Sequence, residues 1–175
     1  VLLVQDTTEI DLTRPSEQVD GSGPLQYETR QGGFYHPLMA FAVDGLALGT
    51  VWHKSWVREK INTKMTPTEK ADLKRHTPFE AKESYRWLEG LQQARRAADQ
   101  CPDTTFVCIG DSESDIYDLF LSQAEDSTSS VGLLIRACHD RLLVGEDRKL
   151  TATVRSSTCL YTCRVDVSSR KQKTE

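Results

Sequence analysis

Two aspartates stand where acid–metal chemistry could be done. Asp6 closes the short apolar run that starts Val1-Leu2-Leu3-Val4, and Asp111 follows Gly110 at the end of Thr104–Ile109. Apolar runs of that length, bounded by polar residues, read as buried strands. In a mixed sheet flanked by helices, ligands gather at the carboxyl ends of neighbouring strands. If these two strands are neighbours, their carboxylates come close together and repel each other unless a cation sits between them. Hard oxygen ligands suit Mg²⁺ or Mn²⁺, which retain water and engage phosphate oxygens. A site of that kind activates a water or a 3′-hydroxyl and stabilises the leaving oxygen of an in-line displacement. The alternative makes Asp6 and Asp111 turn or helix caps, and pattern alone does not separate the two.

The surrounding elements must bring those strand ends together. Residues 14–33, rich in Pro, Gly, Ser and charge, read as a loop with a short strand at Leu25–Thr29. Pro37–Val43 and Leu46–Val57 read as strands joined by an Asp44-Gly45 hairpin turn. With the opening run they predict a three-stranded antiparallel meander. Residues 58–76 are polar and basic. Thr77, Pro78 and Glu80 then form a capping-box pattern, and Trp87, Leu91, Ala94 and Ala98 mark one face of a long helix ending near Cys101-Pro102. After the Asp111 strand, Ser112–Ala124 reads as a second helix and Val131–Ala137 as a further strand. Thr151–Arg155 and Cys159–Val167 look β-like, and Ser168–Glu175 is a polar tail. The expected class is α/β, with a meander followed by α-β-α-β in residues 1–149 and a β-rich segment in 150–175.

Composition narrows the function classes. The chain has 175 residues, 38% hydrophobic and 27% charged, which fits one packed domain rather than wholesale disorder. No apolar run approaches the about 18 residues a membrane-spanning helix needs. The opening residues do not read as a signal peptide, and the absence of an initiator Met suggests a piece of something longer. Five cysteines, with no CxxC spacing, argue against a disulfide framework or a zinc site and are expected to be buried free thiols. A net charge of −4 is unusual for a nucleic-acid enzyme, whose affinity comes largely from Lys and Arg on phosphates. The basic stretch Lys60–Arg75 is the local exception, with a solvated loop as its simpler reading.

The segments Asp6-Thr7-Thr8, "GTVWHKSWVR" (Gly49–Arg58), "KESYRWLEGL" (Lys82–Leu91), "CIGDSESDIYDLF" (Cys108–Phe120) and "LLIRACHDR" (Leu133–Arg141) together resemble transposases of the insertion-sequence-four group. These are DDE enzymes with a ribonuclease-H-like fold. The resemblance implies that Asp6 and Asp111 are the first two metal ligands of the acidic triad, holding Mg²⁺ or Mn²⁺. It implies that Glu113 and Asp115, in the second signature, shape the site from behind the ligands, and that Arg136 lies near DNA. Both acids could equally serve the N-terminal end of a helix through its dipole. The implied partner is DNA, transposon ends and target, with the parent enzyme a homodimer in its synaptic complex. The implied setting is the bacterial cytoplasm, with no membrane.

Two departures stand out. Ser112 occupies a position where the family usually has Arg, and the third acid, a Glu in a Tyr-Arg-Glu-Lys-type signature, has no counterpart in this sequence. Residues 150–175 are expected to begin the family's β-rich insertion, and a preceding DNA-recognition domain is expected to lie outside the chain. On this reading the isolated 175 residues are inactive or a non-catalytic remnant. The alternative from another class is a haloacid-dehalogenase-like phosphatase, whose Gly-Asp-x-x-x-Asp pattern is met by Gly110 through Asp115. Thr8 stands where such phosphatases carry their general acid, and an antiparallel meander after Asp6 disagrees with that fold.

Overall fold

The computed structural model describes residues 1–14, 19–27, 29–59, 65–126, 129–145 and 147–164, and the chain divides into two compact units, Val1–Cys138 and His139–Glu175. The first unit holds a mixed seven-stranded sheet. Its strands are β1 (Leu2–Gln5), β2 (Thr8–Asp11), β3 (Gly23–Pro24), β4 (Gln31–Phe41), β5 (Ala47–Trp56), β6 (Phe106–Gly110) and β7 (Val131–Ile135). The helices are α1 (Pro67–His76), α2 (Tyr85–Gln100), α3 (Tyr117–Glu125) and, in the second unit, α4 (Leu150–Ser156). Among the described residues no helix is long and apolar enough to cross a membrane.

The expected meander is present as β1, β4 and β5, each antiparallel to the next, with Gly45 (φ 93°) in the hairpin turn. β6 then lies parallel to β1, and β7 parallel to β6. β1 and β2 share one register along β4: Gln5 pairs with Leu38 and Thr8 with Tyr35. Continuing that register sets Asp6 opposite Pro37 and Thr7 opposite His36. Proline has no N–H for the ladder, and the pairing breaks at that point, so Asp6 and Thr7 interrupt what is otherwise one long strand.

The core follows from period. Leu3, Leu38, Ala40, Phe106, Cys108 and Val131 turn to one face of the sheet and pack against Leu91, Ala94 and Ala98 of α2 and Leu119 of α3. Every apolar position of the expected α2 stripe is buried, Trp87 included. α2 comes close to β1 at Gly90, where an added Cβ would lie 1.9 Å from Gln5 Oε1.

Five expectations need correction. The capping-box residues Thr77, Pro78 and Glu80 do not start α2. Thr77 instead ends α1, its hydroxyl donating to the Leu73 carbonyl, and Phe79–Ala81 make only a 3-10 turn before α2 begins at Tyr85. The capping box that forms is Thr66 with Glu69, around Pro67, so the stretch read as a polar loop contains a helix. The strand placed at Leu25–Thr29 is the two-residue pairing Gly23–Pro24. Thr151–Arg155, read as β-like, lies in α4, and Cys159–Arg164 has no regular structure. Of the cysteines, expected to be buried, only Cys108 is. Lys60 and Lys64 of the basic stretch, and the tail Ser168–Glu175, lie outside the described residues.

Candidate functional site

The parallel pairing of β1 with β6 runs Leu2↔Val107, Leu3↔Cys108, Val4↔Ile109. Asp6 and Asp111 each lie two residues past the last pair, Val4↔Ile109, so an extension of that register would bring the two side by side beyond the carboxyl ends of adjacent strands. Burial alternates along both: Leu3 and Gln5 in β1, and Phe106, Cys108 and Gly110 in β6, face the α2 side. Asp6 and Asp111 are out of phase with these residues and belong to the opposite face.

Each carboxylate is held locally and keeps accepting capacity. Asp6 Oδ1 accepts from the Thr7 N–H (2.7 Å) and the residue is exposed. Asp111 Oδ1 accepts from the Glu113 N–H (2.8 Å), capping the 3-10 turn Ser112–Ser114, so the capping role foreseen for it is also real. That turn folds tightly over the strand end: a Cβ on Gly110 would sit 2.4 Å from Ser114 Oγ. Arg136 directly follows β7, and its Nη2 lies 3.4 Å from Asp111 Oδ2 and 3.2 Å from Ser112 Oγ. Asp115 is buried and accepts from the Cys138 N–H (2.7 Å), fastening the chain beyond β7 to the turn after β6. Glu113 is exposed and pairs with Arg86 (2.8 Å). Asp6, Asp111, Glu113 and Arg136 therefore lie toward one end of the sheet, and Asp115 is buried in the turn that follows β6.

Behind the strand ends runs a polar chain that the sequence reading passed over. Gln5 Nε2 donates to Cys108 Sγ (3.0 Å) and Gln5 Oε1 lies 3.1 Å from His36 Nε2. His36 Nδ1 lies 2.9 Å from Thr7 Oγ1, which accepts from Arg86 Nε (2.9 Å). Arg86 Nη2 then reaches Glu113. One assignment satisfies every link: His36 neutral with its proton on Nε2, donating to Gln5, and the Thr7 hydroxyl donating to Nδ1. Burial, reinforced by the nearby charge of Arg86, pulls the His36 pKa down to about 3. Burial likewise pushes the Cys108 thiol up to about 11, which makes it an inert core group rather than a nucleophile. His36 was detectable in principle, since it is the one ionisable residue on the inward stripe Phe34, His36, Leu38, Ala40 of β4.

Glu83 is exposed and accepts from both Nε and Nη2 of Arg58 (2.6 and 2.5 Å) and from Trp56 Nε1 (3.2 Å). Arg58 holds the Glu83 carboxyl below its usual range. Its guanidinium in turn lies 4.2 Å over the Phe34 ring, which stacks on Trp56. Thr7, Trp56, Arg58, Glu83, Arg86 and Glu113 line a cleft of about 190 Å³.

No protein-family model matches this chain, and no curated protein matches it.

Proposed function

We propose that this chain is the metal-binding part of the catalytic core of a DNA transposase of the insertion-sequence-four group, with a ribonuclease-H-like sheet and DNA as its partner. The observation that carries the reading is the parallel pairing of β1 with β6, whose register, extended two residues past its last pair Val4↔Ile109, would bring Asp6 and Asp111 side by side. The strand sequence supports it as well: a meander of β1, β4 and β5, then α2-β6-α3-β7. Two carboxylates brought together in that way would suit a hard divalent cation, and Asp115 ties the chain after β7 to the turn that Asp111 caps. When bound, Mg²⁺ or Mn²⁺ would polarise a phosphoryl oxygen and make a coordinated hydroxyl easier to deprotonate.

The chain's own residues do the placing. Asp6 and Asp111 hold the cation, and Asp111 also keeps Arg136 beside the site, where its exposed guanidinium can take a phosphate oxygen. Glu113 is turned toward Arg86 and acts on the site through it. With no Tyr-Arg-Glu-Lys-type signature in the sequence, these 175 residues are expected to bind the cation without cleaving DNA efficiently. The phosphatase alternative is weaker, because the chain after Asp6 continues along β4 as β2 instead of entering a helix.

Titration calorimetry with Mn²⁺ tests the proposal. The unaltered protein should bind, and Asp6→Asn and Asp111→Asn should each weaken binding at least about tenfold, since even residues behind metal ligands commonly change affinity by about 10–100-fold. Unchanged affinity in both variants rules the site out.

A further inference from the structure

We infer that Arg86 is the positioning residue that sets the separation of the Asp6 and Asp111 carboxylates. The inference rests on the metal-site reading above and adds to it a residue that touches neither the cation nor its ligands.

Arg86 is nearly buried, and each of its nitrogens engages a different segment. Nε donates to the hydroxyl of Thr7, the residue next to Asp6 (2.9 Å). Nη2 donates to the carboxylate of Glu113, two residues beyond Asp111 and in the turn that Asp111 caps (2.8 Å). Nη1 donates to the Glu83 carbonyl just before α2 (2.8 Å), and that anchors the fork to the helix. The ladder between β1 and β6 ends at Val4↔Ile109, so the backbone pairing that holds the two strands together stops short of the aspartates. Past that point Arg86 is a direct side-chain link between the two strand extensions. The guanidinium is planar and its donors are fixed in direction, so it can hold two partners at a set spacing where an ammonium cannot. The guanidinium, its carbon 5.4 Å from the ring centroids of both Trp56 and Trp87, is itself nearly buried, while the Glu113 carboxylate it reaches is exposed.

A second arginine on the same helix supplies the control. Arg95 is also a multidentate fork, donating to Ser122 Oγ (3.0 Å) and the Ser122 carbonyl (2.9 Å), but it ties α2 to α3 and not to the strand ends. A purely structural arginine should behave like Arg95.

The test compares Arg86→Lys, Arg95→Lys, Asp6→Asn and the unaltered full chain. Thermal unfolding is the first readout. Mn²⁺ affinity, measured where near-ultraviolet dichroism shows each protein folded, is the second. Both lysine variants should lose thermal stability. Only Arg86→Lys should also weaken Mn²⁺ binding, by about 10–100-fold as for other residues that orient ligands. Thr7→Val should weaken it too and add little on top of Arg86→Lys, because the two share one bond. Millimolar guanidinium added to Arg86→Ala should restore part of the affinity. If Asp6→Asn loses Mn²⁺ while Arg86→Lys and Arg95→Lys bind like the unaltered protein, the positioning role is overturned and the metal site stands. If Asp6→Asn binds normally, or nothing binds, the metal site falls and the role of Arg86 with it.

Discussion

Acidification from pH 7.5 to pH 5 is expected to remove about 2 kcal/mol of folding stability, before the carboxylates begin to titrate. The source is His36. Its ring is fully buried between Gln5 and Thr7, with the Trp87 ring edge-on at 4.6 Å, and its pKa is pulled from 6.5 to about 3. Between those values the unfolded chain takes up a proton that the folded chain excludes. The stability His36 contributes is therefore complete above pH 6.5 and is lost as pH falls toward 3, by about 1.4 kcal/mol per pH step. The carboxylates whose pKa values are lowered on folding, Asp11 (to about 2), Glu69, Glu83 and Asp140, lose their contributions at more acid pH than this interval. The interval from 6.5 to 5 thus isolates the histidine. Urea unfolding of the unaltered protein and of His36→Gln, which keeps a donor and an acceptor without a proton to gain, should give converging stabilities as pH falls through that interval. Parallel curves would assign the acid sensitivity elsewhere.

Trp87→Ala should cost about 3–5 kcal/mol, the usual range for emptying a large buried aromatic site. Domains of this kind have only about 5–15 kcal/mol in total, so the variant should sit near the edge of folding. Trp87 is 1% exposed and packs edge-on against His36, so the cavity would open directly behind Gln5 and Thr7. Its indole N–H is buried and has no hydrogen-bond partner among the described residues. An unsatisfied buried donor costs about 1–3 kcal/mol. Trp87→Phe removes that donor along with some volume, and the two changes partly offset, so it should be much milder than Trp87→Ala. Equal losses in the two variants, measured by denaturant unfolding, would show that packing at this site does not dominate.

The parts of the fold visible in the sequence are those set by period. The stripe Trp87, Leu91, Ala94, Ala98 and the apolar runs ending at Asp6 and Asp111 are local patterns, and each forms the element it suggests, whereas β4 begins at Gln31, inside the stretch read as a loop. Helix starts were less legible because the same local signal occurs twice. Thr66-Pro67-Thr68-Glu69 and Thr77-Pro78-Phe79-Glu80 share a Thr-Pro-x-Glu pattern, yet only the first caps a helix, and the second follows immediately on that helix's end. α4 was hidden by its Thr and Val content, and the N–H of Thr151 in its first turn is satisfied by Asp140 Oδ1 (2.9 Å), a partner well outside the segment. The link through Arg86 depends on three partners that meet only once the sheet and α2 are packed, and no spacing rule announces it.

The sharing of a divalent cation by the two strand ends is most directly tested by paramagnetic broadening in isotope-labelled protein. Substoichiometric Mn²⁺ should first broaden the amide signals of Thr7, Gly110 and Ser112, which flank Asp6 and Asp111. It should leave Ala42 and Leu46, bonded across the hairpin turn at the far end of the sheet, sharp. Broadening centred on any other part of the surface, or none at all, would contradict the account.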